Sequence, residues 1–485
     1  MRFRKYCAAL LAVMTAAACT GCGLTDTFPQ DGTTAATTAA TAASAVNTVT
    51  ETTVSAVQTV TSAKTAVGLV SSASTAGTTE TVVQSTATTA AATENGGNQN
   101  QQNEQPVNTT KAQAVQTQRQ TAVPATTVST AETEAVTETT AAPKPVEALP
   151  GIDADLVERV SKMNLHEKVS QMMMASASDA ETAKTAIKSG VGAMALFAKA
   201  FSGKSKKQVQ QMTDEFQKAA KIPILISIDE EGGTVNRVSI NKQLRATPFW
   251  SPSALYEQGG WDLVISDTQE KADLLLSLGV NSNLGPVCDV ALTKNDYIFN
   301  RTFSLDYNMT AQYAETVVKE MKKKGLGSTL KHFPGYGGSR DTHKNMATDN
   351  REYSAFETGD FLPFQAGIAA GADSVMVSHN IVTCMDKDLP ASLSPAVHKI
   401  LRETLGFTGV IITDDLGMNA ITQFTNGKNP AVAAVLAGND FLCYADYQNS
   451  VPAIEKAVKS GEISEEQINA SVQRILQWKR NIGLI

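Results

Sequence analysis

Histidine, tryptophan and cysteine are scarce in this chain of 485 residues, which holds five, three and six of them. Apart from Cys7, Cys19 and Cys22 near the start, the cysteines are Cys288, Cys384 and Cys443, an odd set without metal-like spacing. That pattern argues against a disulfide framework and reads as ordinary buried thiols. His332 and His379 are not an i, i+4 helical pair, and no candidate strand carries His-x-His, so no metal site and no organic cofactor are expected. The formal net charge is −7 and no basic block occurs, which argues against nucleic acid as a partner.

What is present is unevenly distributed. Residues 1–22 read as an export signal, with Arg2, Arg4 and Lys5 ahead of a short apolar core from Ala8 to Ala18. That core is too short to span a bilayer as a permanent helix. Small residues directly before a cysteine resemble the lipobox of bacterial lipoproteins. Ala16-Ala17-Ala18-Cys19 fits that pattern better than Thr20-Gly21-Cys22, and plain secretion with cleavage near Ala18 is the alternative. The chain is thus expected outside the cytoplasm, tethered to the bacterial membrane by a lipid on Cys19 or Cys22. Residues 23–149 are mostly Thr, Ala, Ser, Val, Gln and Asn, with Phe28 the only aromatic. Such a stretch buries too little apolar surface to offset the entropy of ordering, and reads as a disordered tether.

From 150 to 485 apolar runs alternate with amphipathic segments. Strands are predicted at Val169–Ala175, Gly192–Phe197, Pro223–Asp229, Val280–Val287, Gly327–Phe333, Asp373–His379, Gly409–Asp415 and Asp440–Tyr444. Most are continuously apolar, as in parallel strands covered on both faces. Helical patterns fall between them, for example Ser205–Ala220, Ser266–Leu278 and Met309–Lys324, and Ser464–Arg480 closes the chain. Eight strands alternating with helices predict an α/β fold, a (β/α)8 TIM barrel; a doubly wound open sheet is the competing architecture.

A barrel should gather its chemistry at the carboxyl ends of the strands. Polar residues stand at those ends here: Asp229-Glu230-Glu231-Gly232-Gly233 after strand three, then Asp289 and Asn300-Arg301 after strand four. Lys331-His332 ends strand five, Ser378-His379-Asn380 strand six, and Thr413-Asp414-Asp415 strand seven. Charged groups at the ends of apolar strands are costly to bury without a purpose. Each alone could be a helix cap or a satisfied core group, but their convergence points to an active site. Lys331 among so many acids has little reason to lose its charge, so it suits hydroxyl binding better than Schiff-base chemistry. Glycoside cleavage fits this inventory: a proton for the leaving oxygen, a carboxylate facing the anomeric carbon, and charged groups for vicinal hydroxyls. Asp414 is mounted on a strand as a nucleophile should be. Asp415 must point elsewhere, since successive side chains alternate, and reads as a cap for a helix starting near Leu416.

These residues carry a resemblance. Residues 150–485 resemble the single-domain members of glycoside hydrolase family 3, the NagZ-like β-N-acetylglucosaminidases. The matching motifs are Asn164-Leu165-His166-Glu167-Lys168-Val169, Ile228-Asp229-Glu230-Glu231-Gly232-Gly233, Asn300-Arg301-Thr302-Phe303, Lys331-His332-Phe333-Pro334-Gly335 and Gly409-Val410-Ile411-Ile412-Thr413-Asp414-Asp415-Leu416-Gly417-Met418. The resemblance implies that Asp414 is the nucleophile, that His343 paired with Asp341 is the acid/base, and that Asp229, Arg301, Lys331 and His332 bind the nonreducing sugar, with His379 approaching the same pocket. Two-domain relatives take their acid/base from a domain beyond the barrel. This chain runs only a short way past its eighth strand, so such a domain is not expected.

The implied activity is retaining exo-cleavage of β-linked N-acetylglucosamine from muropeptides or other oligosaccharides, through a covalent glycosyl-aspartate. Three alternatives stay open. An imidazole repels phosphate less than a carboxylate does, which admits phosphorolysis to a sugar 1-phosphate. Glucose or xylose could replace the amino sugar. A non-catalytic wall-binding lipoprotein would predict loss of Asp341, His343 and Asp414, and all three are present. The loop also departs from the commoner family pattern: Tyr336 replaces a histidine, Gly338 an aspartate, and one residue is missing. Thr234 stands where many members have arginine, whereas Arg237 is kept.

Overall fold

The structure is a computed structural model and describes residues 145–485 except Ser178, Arg340, His343, Lys428, Tyr444 and Ala445. The signal, both candidate lipidated cysteines, nearly all of the 23–149 stretch and the candidate acid/base His343 therefore lie outside the described residues. Residues just before 150 already contact the fold. The Gln473 side chain accepts from the Leu149 amide at 3.0 Å and donates to the Glu147 carbonyl at 2.8 Å.

Eight parallel strands form the barrel: β1 Met173–Ser176, β2 Ala193–Ala195, β3 Leu225–Ile228, β4 Ser282–Asn283, β5 Gly327–Phe333, β6 Ser374–Val377, β7 Val410–Thr413 and β8 Leu442–Cys443. Each pairs with its sequence neighbour, and β8 pairs with β1. The ring is closed between β7 and β8 by a parallel bridge from Ile412 to Phe441, with the Thr413 amide donating to the Phe441 carbonyl at 3.0 Å. Nearly every residue of these strands is buried, because helices cover the outer face. The competing open sheet is thereby excluded.

The helices follow from their caps and apolar spacing. Lys206–Ala219 starts at Ser205, whose hydroxyl and Gln208 form a reciprocal capping box, and buries Val209, Thr213 and Phe216 along one face. Tyr307–Lys324 starts at Asp306, whose carboxylate takes the Met309 amide at 2.8 Å. It ends with three lysines and a left-handed Gly325, which complement the exposed carbonyls of its last turn.

Two predicted strands are corrected. Residues 169–171 belong to the helix Leu165–Gln171, fixed by an Asn164–Glu167 capping box, and strand pairing begins only at Met173. The apolar run Val280–Val287 yields a strand of only two residues, Ser282–Asn283, and an isolated parallel bridge from Val287 to Lys331, since Gly285-Pro286 interrupts the ladder; proline has no amide hydrogen to donate. A short ladder that the sequence did not announce pairs Thr348–Asp349 with Ile381–Val382 in parallel above the barrel. Of the three cysteines in the fold, Cys288 and Cys443 are buried, but Cys384 is half-buried.

Candidate active site

The loops at the carboxyl ends of β2, β3, β4, β5 and β7 enclose a cleft of about 450 Å³, lined by Phe197, Asp229, Glu231, Arg237, Arg301, Lys331, His332 and Asp414 among others. The strand-borne part is a continuous network of charge. Lys331 Nζ lies 2.7 Å from Asp229 Oδ1 and 2.6 Å from Glu231 Oε1. Glu231 also accepts both prongs of Arg301, from Nε at 2.9 Å and from Nη2 at 2.8 Å. Arg301 Nη2 then stands 3.3 Å from His332 Nε2, and His332 Nδ1 is 2.6 Å from Asp289 Oδ2. A carboxylate facing Nδ1 fixes the hydrogen there and leaves Nε2 free to accept from the guanidinium. Asp289 also takes the amides of His332 at 3.1 Å and Tyr336 at 2.8 Å, so it aligns the end of β5 as well as its ring.

Lys331, Glu231, His332 and Asp289 are all buried. Burial alone would raise the Glu231 carboxyl, but Arg301 and Lys331 outweigh it and hold the group well below the usual carboxylate range. Burial likewise opposes the charge on Lys331, yet Asp229 and Glu231 raise it above the ordinary ammonium value. The lysine is thus a fixed cation, suited to donating hydrogen bonds and unsuited to Schiff-base chemistry. The sequence motif alone assigns Glu231 no role. The signal for it is electrostatic: Lys331 at the end of β5 and Arg301 on the loop after β4 need a shared counter-charge. Glu230 serves the frame instead. Its Oε2 accepts the amides of Arg237 and Val238 at 2.7 Å each, and its Oε1 takes the Ser239 amide at 3.2 Å.

Asp414 leaves β7 with its amide on the Val377 carbonyl at 2.9 Å, and its Oδ1 accepts the Asp415 amide at 2.8 Å. Asp415 does not cap a helix at Leu416. Its Oδ1 takes the Gly417 amide at 2.7 Å, and the next helix is Asn419–Phe424. His379 is not among the residues lining the cleft. It is fully buried, with Nδ1 2.7 Å from Ser392 Oγ and Nε2 2.8 Å from the Asp415 carbonyl. Those contacts make it a brace for the turn that carries Asp414.

The loop after β5 supplies the other part. Gly335, at φ 120°, lets the backbone pass the Asp360 carboxylate where a Cβ would collide, and Gly337, at φ 51°, does the same beside the Arg351 guanidinium. Tyr336, at the site of the family's usual histidine, is buried, and its hydroxyl bonds Thr342 Oγ1 at 2.5 Å. Burial pushes its phenol well above the ordinary value, and the neighbouring Asp414 charge pushes the same way. Asp341 reaches the same region. Burial raises the Tyr297 phenol, with the Arg301 charge opposing and the Asp341 charge adding to it. Among the described residues no group of three or more His, Cys, Asp or Glu side chains could hold a metal ion.

This geometry has counterparts elsewhere. The family model described as the glycosyl hydrolase family 3 N terminal domain matches residues 164–478. A beta-hexosaminidase of Xanthomonas campestris pv. campestris is 36% identical over 299 residues, covering 61% of this chain and 85% of that protein. A Xylella fastidiosa beta-hexosaminidase is 34% identical over 257 residues, covering 52% and 74%. Among solved structures, a family 3 beta-N-acetylglucosaminidase from a Paenibacillus superposes with a TM-score of 0.63 at 31% identity, covering 66% of this chain and 63% of that one. A family 3 glycosyl hydrolase from Mycobacterium smegmatis gives a TM-score of 0.59 at 27% identity, covering 66% and 98%. The chain belongs to glycoside hydrolase family 3, and its barrel is a glycoside hydrolase domain.

Proposed function

We propose that the chain is a retaining exo-β-N-acetylglucosaminidase that works through a covalent glycosyl-Asp414 intermediate. One observation carries this reading. Asp414 lines the same cleft as the Asp229–Lys331–Glu231–Arg301–His332 network, on a turn held from behind by His379. The network offers paired donors and acceptors at fixed positions, which suits the vicinal hydroxyls of a sugar ring. With the ring held there, Asp414 attacks the anomeric carbon as the bond to the leaving oxygen breaks. His343, supported by Asp341, donates a proton to that oxygen and then takes one from the incoming water. The choice of N-acetylglucosamine rests on the resemblance and on the names of the relatives. The proposed setting is outside the cytoplasm, on a lipid anchor at Cys19 or Cys22, with muropeptides or similar oligosaccharides as substrates.

The direct test is turnover of aryl β-glycosides. Asp414→Ala should lower kcat for an aryl N-acetylglucosaminide by at least about a thousandfold, and near-normal activity would sink the assignment. His343→Ala should slow poor leaving groups far more than activated aryl ones, because only the former need a proton in the transition state. A matching panel of glucosides and xylosides decides the sugar.

A further inference from the structure

We infer that Arg237 is an oxyanion subsite on the rim of the cleft, holding one acid group, either on the leaving part of the substrate or on free inorganic phosphate. This deepens the proposed glycosidase reading and rests on it.

Among the described residues three permanent cations line the cleft: Arg301, Lys331 and Arg237. The first two are committed to Glu231 and Asp229. Arg237 is different: among the described residues its guanidinium has neither an ion-pair partner nor a hydrogen-bond acceptor. Its Nε is shut off from solvent and has no acceptor among those residues. The adjacent carboxylate that could have neutralised it, Glu230, instead binds the backbone amides of Arg237 and Val238. The backbone beneath the side chain is therefore rigid. Asn236 adds to that, donating to the Gly233 carbonyl at 2.8 Å and the Phe249 carbonyl at 3.2 Å.

A guanidinium fixed at a cleft wall with open donors is poised for an acceptor that arrives with the substrate. Buried donors are otherwise nearly always satisfied, so the vacancy is informative. Its planar fork matches carboxylate and phosphate in two-point contact. A neutral hydroxyl would be better served by the paired groups deeper in the cleft, whereas an uncompensated cation favours full negative charge. The flanking Thr234, Val235 and Phe197, which also line the cleft, bring no charge of their own.

If the anion is phosphate, one of its oxygens bonds to the anomeric carbon as the bond from that carbon to Asp414 breaks. The electron pair returns to the carboxylate, and the product is a sugar 1-phosphate. If the anion belongs to the leaving group, water is the acceptor and Arg237 acts in the first step.

The experiment uses the full chain and its Arg237→Gln and Arg237→Lys variants. Isosteric 3-carboxyphenyl and 3-carbamoylphenyl N-acetylglucosaminides differ chiefly in charge, and their intrinsic reactivity difference is common to wild type and variants, so the change in the ratio of their kcat/KM values on substitution reads the subsite. Arg237→Gln should lower the acid-to-amide ratio at least tenfold, with part recovered in Arg237→Lys; that outcome assigns the anion to the leaving group. A second arm adds inorganic phosphate. A saturable rate increase with sugar 1-phosphate as product, lost in Arg237→Gln, assigns it to the acceptor. If neither the ratio nor the phosphate response depends on residue 237, the subsite is overturned. If the wild type cleaves neither glycoside, the glycosidase reading fails separately. Calorimetric titration with phosphate then decides the subsite: a single site lost in Arg237→Gln supports it, and no binding overturns it.

Discussion

On the strand side of the cleft, Asp229, Lys331, Glu231, Arg301, His332 and Asp289 are linked by contacts of 2.6–3.3 Å from one end to the other. On the loop side, Thr342 meets the base of the site through a pair of neutral hydroxyls, its own and that of Tyr336, and Asp341 bears on the Tyr297 phenol. The same few residues after β5 feed both sides: Lys331 and His332 enter the network, and Tyr336 begins the loop. Charge-assisted bonds in a dry environment are short and strong, and they fix position at the cost of desolvating every member. Neutral bonds are cheaper to break and remake. A sugar-binding wall profits from the first, since its targets do not move. A proton-transfer group that must meet both a leaving oxygen and an incoming water profits from the second.

The largest expected effect comes from cutting the network at its hub. Glu231→Gln keeps the shape but leaves Lys331 and Arg301 without their shared carboxylate. Breaking a buried pair in this way costs about 3–5 kcal/mol of stability. Urea unfolding should show that loss, and kcat/KM should fall by at least about a hundredfold as the two cations turn on each other. A variant with wild-type stability and activity would mean that the network is not the rigid wall described here.

Much of this layout was legible in the sequence. The runs at Gly327–Phe333 and Gly409–Asp415, alternating with helical patterns such as Met309–Lys324, mark the barrel, because local apolar spacing decides such elements. Asp229, Arg301, Lys331, His332 and Asp414 stood out as charged groups at the ends of apolar strands. The misreadings have two causes. Val169–Gln171 merged with the next strand because helix and strand runs look alike when both are buried, although Asn164 and Glu167 carried the signal. Glu231 and His379 were undecidable locally: Glu231 is defined by Arg301, 70 positions away, and His379 by Ser392 and the turn at Asp415. Such roles emerge only when the strands close into a ring.

The next contrast is in pH response. Arg301 and Lys331 hold Glu231 well below the usual carboxylate range, whereas Asp360, beneath Gly335 on the loop side, is raised by burial to about 6 from 3.8, with Arg351 only partly offsetting it. A carboxyl whose folded value lies above its unfolded one contributes stability that is complete below about pH 4 and lost as pH rises through about 6. Two units correspond to about 3 kcal/mol. Chemical denaturation of wild type and Asp360→Asn at pH 4, 5, 6 and 7.5 reads this directly. The wild type should lose stability relative to the variant across that interval; parallel curves would remove Asp360 as the cause.

The smallest effect should sharpen the comparison most. Tyr336→Phe deletes the hydroxyl that reaches Thr342 but keeps the buried ring and its edge-on contact with His332, whose centroid is 5.2 Å away. Losing one neutral hydrogen bond costs about 1 kcal/mol, close to a fivefold to tenfold change. Because the bond holds the loop and not the sugar, the loss should fall on kcat, with KM little changed, and should grow as the leaving group becomes poorer. Thr342→Val should reproduce it, and the double variant should be no worse than either single one, since both remove the same bond. A change confined to KM would place Tyr336 with the strand-side wall and erase the division between the two sides.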